Sequence, residues 1–83
     1  MNKLLVKIKY PVISQEYEVF IPINKTIGKI IDLIQKAIIE FNVEEIPHRK
    51  NAILIKADSN EILDNNKLVY ESNIKNGDIL VIM

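Results

Sequence analysis

The chain has 83 residues with 11 basic and 11 acidic side chains, so its formal net charge is zero. That length suffices for one domain, and the basic residues are spread along it, which argues against a nucleic-acid binder whose affinity comes from concentrated Lys and Arg. Cysteine is absent, which excludes disulfide staples, thiolate chemistry and Cys-based zinc sites.

No apolar run approaches the roughly 18 residues needed to span a bilayer, so direct membrane insertion is not expected. Lysines interrupt the start of the chain (Lys3, Lys7) at strand spacing, which is unlike a signal peptide. The expected location is the cytoplasm. Ten lysines against one arginine, with 17 isoleucines, point to an AT-rich genome as the source.

Residues 3–10 alternate, with Leu4, Val6 and Ile8 on one face and Leu5, Lys7 and Lys9 on the other. Residues 15–23 do the same, Tyr17, Val19 and Ile21 opposing Glu16, Glu18 and Phe20. Both have the two-residue period of half-buried strands, and Pro11-Val12-Ile13-Ser14 between them reads as a hairpin loop. Setting Tyr10 opposite Gln15 brings Lys9 to Glu16, Lys7 to Glu18 and Leu5 to Phe20. The other face then pairs Ile8 with Tyr17, Val6 with Val19 and Leu4 with Ile21. A slip of one residue would turn one apolar set to solvent, so this register is strongly specified.

Thr26 is suited to cap a helix. Ile27, Ile30, Ile31, Ile34, Ile38 and Phe41 follow at three- and four-residue steps and form one apolar stripe. Lys29, Asp32, Lys36 and Glu40 lie on the other side, where Asp32–Lys36 and Lys36–Glu40 can pair one turn apart. Such a β-branched helix must depend on packing against a sheet. Asn42 can take its left-handed closing position, and Pro47 prevents continuation. Residues 51–58 read as a third strand centred on Ala52 to Ile55, with Ile53 or Leu54 turned outward. A turn at Asp58-Ser59-Asn60, a short strand at Glu61-Ile62-Leu63 and a single helical turn around Val69 to Ser72 come next. Asn76-Gly77-Asp78 is a tight turn, and Ile79 to Met83 is the last strand.

One helix cannot cover both faces of a sheet, so one face stays at least partly open, and the lysine–glutamate pairs mark it. The order of elements gives an α+β fold, a β-grasp with a mixed four- to five-stranded sheet on one main helix, read as a single domain over residues 1–83. Tyr17 to Ile27 resembles the second strand and helix entry of ubiquitin, and Val69 to Ile74 resembles its closing loop. The segment Ile74-Lys75-Asn76-Gly77-Asp78-Ile79-Leu80-Val81-Ile82-Met83 is similar to the tails of YukD/EsaB-like proteins, the ubiquitin-like components of type VII secretion loci in Gram-positive bacteria. That resemblance implies a cytoplasmic accessory or regulatory subunit whose partner is the secretion machinery, its membrane ATPase or associated components.

No catalytic, cofactor or metal site is expected. His48, the only histidine, stands in Pro47-His48-Arg49-Lys50 without a carboxylate at a useful spacing. Asp58, Glu61 and Asp64 lack the alternation of a calcium loop and read as turn chemistry. Asn76-Gly77-Asp78 is followed by a strand where a phosphate loop needs a helix. The only glycines are Gly28 and Gly77, and the chain ends on its strand without Gly-Gly, so conjugation is not expected. The feature that calls for a function is the open sheet face. The hairpin register places Leu5 and Phe20 on it, and the ubiquitin resemblance turns Ile79, Val81 and Met83 the same way. These five residues are the expected protein-binding surface, for a partner or a second copy. A second reading is a small non-catalytic β-grasp subunit of a multicomponent enzyme, such as a bacterial monooxygenase.

Overall fold

The computed structural model describes residues 2–41 and 51–83. Asn42, Pro47, His48, Arg49 and Lys50, with the helix end expected at the first two, lie outside the described residues. The elements are β1 (Lys3–Tyr10), β2 (Gln15–Pro22), α1 (Ile27–Phe41), β3 (Leu54–Lys56), β4 (Glu61–Ile62) and β5 (Ile79–Ile82). Two 3-10 turns, Pro11–Ile13 and Val69–Glu71, join them. The sheet runs in the order β2-β1-β5-β3-β4. Strands β1 and β5 pair parallel, and the remaining neighbours are antiparallel. One helix packed on this mixed sheet is the expected β-grasp.

The hairpin adopts the register that the charge and apolar patterns specify, with Tyr10 opposite Gln15, Leu5 opposite Phe20 and Leu4 opposite Ile21. Ser14 closes the turn with φ 53°, a left-handed value that a β-carbon disfavours. The ammonium groups of Lys7 and Lys9 lie 3.9 and 3.7 Å from Glu16. Lys7 thus reaches diagonally to Glu16 and not straight across to Glu18, its partner in register.

Helix α1 buries Ile27, Ile30, Ile31, Ile34 and Ile38 against the inner face of the sheet. Each such side chain contributes about 1.5–3 kcal/mol on removal from water, which offsets the weak intrinsic helix preference of isoleucine. Thr26 caps the helix as expected, its hydroxyl accepting from the amide of Lys29 at 3.2 Å. The loop after β4 supplies the rest of the cap: Lys67 O accepts from Ile27 N–H (2.9 Å) and Asn65 O from Gly28 N–H (3.0 Å). A β-carbon on Gly28 would stand 3.2 Å from that Asn65 oxygen, so the close approach of loop to helix favours glycine there. Lys36 pairs with Asp32 at 3.1 Å.

The third strand is shorter than residues 51–58. Only Leu54–Lys56 are in regular ladder, because β5 offers partners for a short stretch. Its flanks are still tied: Ile53 and Met83 exchange two hydrogen bonds of 3.0 Å, and Ala57 N–H donates to Ile79 O. Leu54 is fully buried, so Ile53 is the residue that turns outward. The expected turn after Leu68 forms at Val69–Glu71, with the Glu71 carboxylate accepting from Leu68 N–H at 3.1 Å.

Candidate protein-binding surface

The outer face of the sheet can be built row by row from the strand registers. Side chains alternate along each strand, so Phe20 on β2, Leu5 on β1, Ile79 and Val81 on β5 and Met83 just after it all point away from α1. Their inward neighbours confirm the phase: Val6, Ile8, Ile21, Leu80 and Ile82 are buried. Phe20 and Met83 are the most exposed of the five, at 62% and 52%. Leu5 and Val81 are half-buried, held by their neighbours in the sheet.

The structure divides these five residues into two groups that meet. Leu5 and Phe20 stand opposite each other. On the far side of β1, Ile79 is level with Lys7 and Val81 with Lys9. Leu5 and Ile79 are therefore diagonal neighbours, and both line a shallow depression over Gly77. Gly77 has φ 87°, and nothing lies within 4 Å of where its β-carbon would project. That turn is fixed by Gly77 N–H to Leu5 O (2.8 Å) and by Asn76 Oδ1, which accepts from Leu5 N–H at 2.8 Å.

Two further residues belong to the surface. Ile55 faces outward opposite Val81, and Ile62 on β4 stands opposite Ile55, 62% exposed. Together with Ile53 they continue the apolar path across β3 to the edge of the sheet. The whole path is an arc: Phe20, Leu5, Ile79, Val81, then Ile55, Ile53, Ile62 and Met83. Inside its corner sit Lys7, Lys9, Glu16 and Glu18, whose charges cancel. Ile55 and Ile62 escaped the sequence reading. The two-residue period could have assigned Ile55, but Lys56 beside it looks like a solvent-facing residue and inverts the phase of that strand.

Lys56 in fact points toward the core side, opposite Leu80. Its side chain is only 7% accessible. The ammonium donates to Asn73 O at 2.8 Å and lies 3.7 Å from Asp78 Oδ2. Asp78 Oδ2 also accepts from Lys75 N–H at 2.9 Å, so the carboxylate fixes the turn that leads into β5. Asp58, Glu61 and Asp64 form no metal cluster among the described residues. Asp64 instead accepts from Asn66 N–H at 2.9 Å, the turn chemistry its neighbours imply.

No protein-family model matches the chain, and no curated protein does. Its likeness to solved structures is one of fold, and domains described as ubiquitin-like are among the matches. The chain thus has the ubiquitin-like β-grasp fold. It resembles a chain in a structure described as "Molecular Mimicry of SUMO promotes DNA repair", with TM-score 0.81 and 16% identity, covering 100% of this chain and 92% of that one. A chain of a toluene 4-monooxygenase HD complex gives TM-score 0.79 at 12% identity, covering 96% of this chain and 95% of that one. A chain of an ESX-5 inner membrane complex gives TM-score 0.76 at 17% identity. That match covers all of this chain but 21% of the ESX-5 chain.

Proposed function

We propose that this protein is a non-catalytic ubiquitin-like binding module that serves a type VII secretion machine from the cytoplasm, as an accessory or regulatory subunit. The observation that carries the binding role is the outer apolar arc, in which Phe20, Leu5, Ile79, Val81 and Met83 meet through Gly77. Single surface hydrophobes are ordinary, whereas a contiguous apolar path on a small monomer points to a partner. Two features support the secretion assignment: the similarity of Ile74 to Met83 to the YukD/EsaB-like tail, and the occurrence of this fold in a chain of an ESX-5 inner membrane complex. The fold likeness to a monooxygenase chain does not favour the enzyme-subunit reading, since it lies at 12% identity.

The test is a binding titration of the purified protein against the cytoplasmic ATPase domains of a type VII secretion complex, with light scattering to detect self-association. Phe20→Asp with Val81→Asp is expected to weaken either association at least tenfold while leaving the circular dichroism spectrum unchanged. Association at full strength by a folded double variant overturns the surface. Binding of the wild-type chain to neither the ATPase domains nor itself overturns the secretion role.

A further inference from the structure

The turn that leads into β5 carries a reactive pair. Asn76-Gly77 is the one place in the sequence where asparagine precedes glycine. Both residues are exposed, and glycine has no side chain to shield its nitrogen. At such a pair the glycine nitrogen can attack the asparagine side-chain amide. The bond from Gly77 N to Asn76 Cγ forms, the Cγ–Nδ2 bond breaks, and Nδ2 leaves as ammonia with the proton from Gly77. Water then opens the five-membered imide at either carbonyl. Opening at Cγ leaves aspartate. Opening at the backbone carbonyl leaves isoaspartate, in which the chain runs through the side chain of residue 76. Water enters and ammonia leaves, with no oxidant or other co-reactant.

The folded turn holds the two reacting groups apart. Asp78 N–H donates to Lys75 O at 3.0 Å, Gly77 has φ 87°, and Asn76 does not have a positive φ. That is a type II turn with Asn76 and Gly77 at its centre. Its first central residue has ψ of about +120°, which sets the Asn76 β-carbon about 120° from the Gly77 nitrogen around the Cα–C bond. Ring closure needs the two eclipsed. Leu5 grips both groups as well: its N–H donates to Asn76 Oδ1 and its carbonyl accepts from Gly77 N–H, each at 2.8 Å. Just beyond, Lys7 N–H donates to Asp78 O at 3.0 Å. The Asn76–Gly77 peptide must turn over before it can react, and turning it over peels the start of β5 from β1.

The two products differ in what they restore. An aspartate oxygen still accepts from Leu5 N–H, so the turn closes again. Isoaspartate adds one atom to the backbone between Lys75 and Gly77, and the lengthened turn no longer brings both groups to Leu5. The damage falls where Leu5 and Ile79 meet over Gly77.

We infer that Asn76-Gly77 is a self-modification site gated by the fold. It is inert while β1 grips the turn, and once that end of the sheet opens it loses ammonia, the isoaspartyl product then being unable to rebuild this corner of the outer face. The chemistry is independent of the proposed function, and only its consequence for binding rests on that reading.

The test is ageing of the purified protein at 37 °C and pH 8, folded and in urea sufficient to unfold it, with Asn76→Gln as the control that cannot close a five-membered ring. Peptide mass spectra are expected to show the gain of replacing NH2 by OH at Asn76 before any other asparagine, with isoaspartate labelled by a carboxyl methyltransferase. The folded chain should react at least about tenfold more slowly than the unfolded one, because its hydrogen bonds must open first. Urea below the unfolding transition should speed the folded reaction in step with exchange of the Gly77 amide. The isoaspartyl form, separated from the aged sample, is expected to lose exchange protection at the amides of Leu5 and Gly77, whereas Asn76→Asp keeps it. Another asparagine reacting first, or an unchanged Asn76 in the unfolded chain, overturns the site. Equal rates folded and unfolded, or a folded chain whose reaction is absent or ignores amide exchange, overturn the gating. Full protection in the isoaspartyl form overturns the consequence.

Discussion

Lys56 enters the core side of the sheet, where its ammonium meets Asn73 O and the Asp78 carboxylate. A buried ion pair gives little net stability against an apolar replacement, but losing one partner strands the other charge. Asp78→Ala is therefore expected to destabilise the domain by about 3 kcal/mol, whereas the double change Lys56→Met with Asp78→Asn, which removes both charges, should change it by less than about 1 kcal/mol. Urea unfolding of the two variants checks this, and similar losses from both would show that the pair acts as a favourable unit. The same residue explains a gap in what the sequence tells. Ala52, Leu54 and Lys56 share the inner face, and a lysine in that set makes Ile53 and Ile55 look like the buried ones. Gln35 offers a second residue-scale test. It is 2% exposed, and its amide nitrogen has no hydrogen-bond partner among the described residues. A buried donor left unpaired costs about 1–3 kcal/mol. Gln35→Leu should raise the melting temperature by about 4–8 °C per kcal/mol recovered, and a lower melting temperature would show that the amide is engaged.

The elements most legible in the sequence are those whose two faces differ. In the β1–β2 hairpin the charges match on one face and the apolar residues on the other, and only one register satisfies both. Helix α1 is equally plain, since five isoleucines at helical spacing define the stripe that the structure buries. Strand β3 is less so, because its length depends on how far β5 runs beside it, a non-local quantity. The loop of residues 65–67 is the clearest case of hidden information. Its carbonyls complete the helix N-terminus, taking the amides of Ile27 and Gly28, yet nothing in Asn65-Asn66-Lys67 announces that role. Thr26 carries the local share of this cap. Thr26→Ala should cost about 1 kcal/mol in denaturant unfolding. A loss near zero would mean that the loop carbonyls alone hold the first turn.

At the scale of the molecule, the outer arc surrounds a corner where Lys7, Lys9, Glu16 and Glu18 cancel, so a partner docking there gains mainly from burial of Phe20, Ile79, Val81 and Met83. Exposed charge pairs are screened by salt, with a Debye length of about 10 Å at 0.1 M and about 3 Å at 1 M, while apolar burial is not. Raising sodium chloride from 50 to 500 mM is therefore expected to change association through the outer arc less than about twofold, as calorimetric titration would show. If that association proves salt-sensitive, its partner reads the charged corner and not the arc, and Lys7 and Lys9 replace Phe20 and Val81 as the residues to vary.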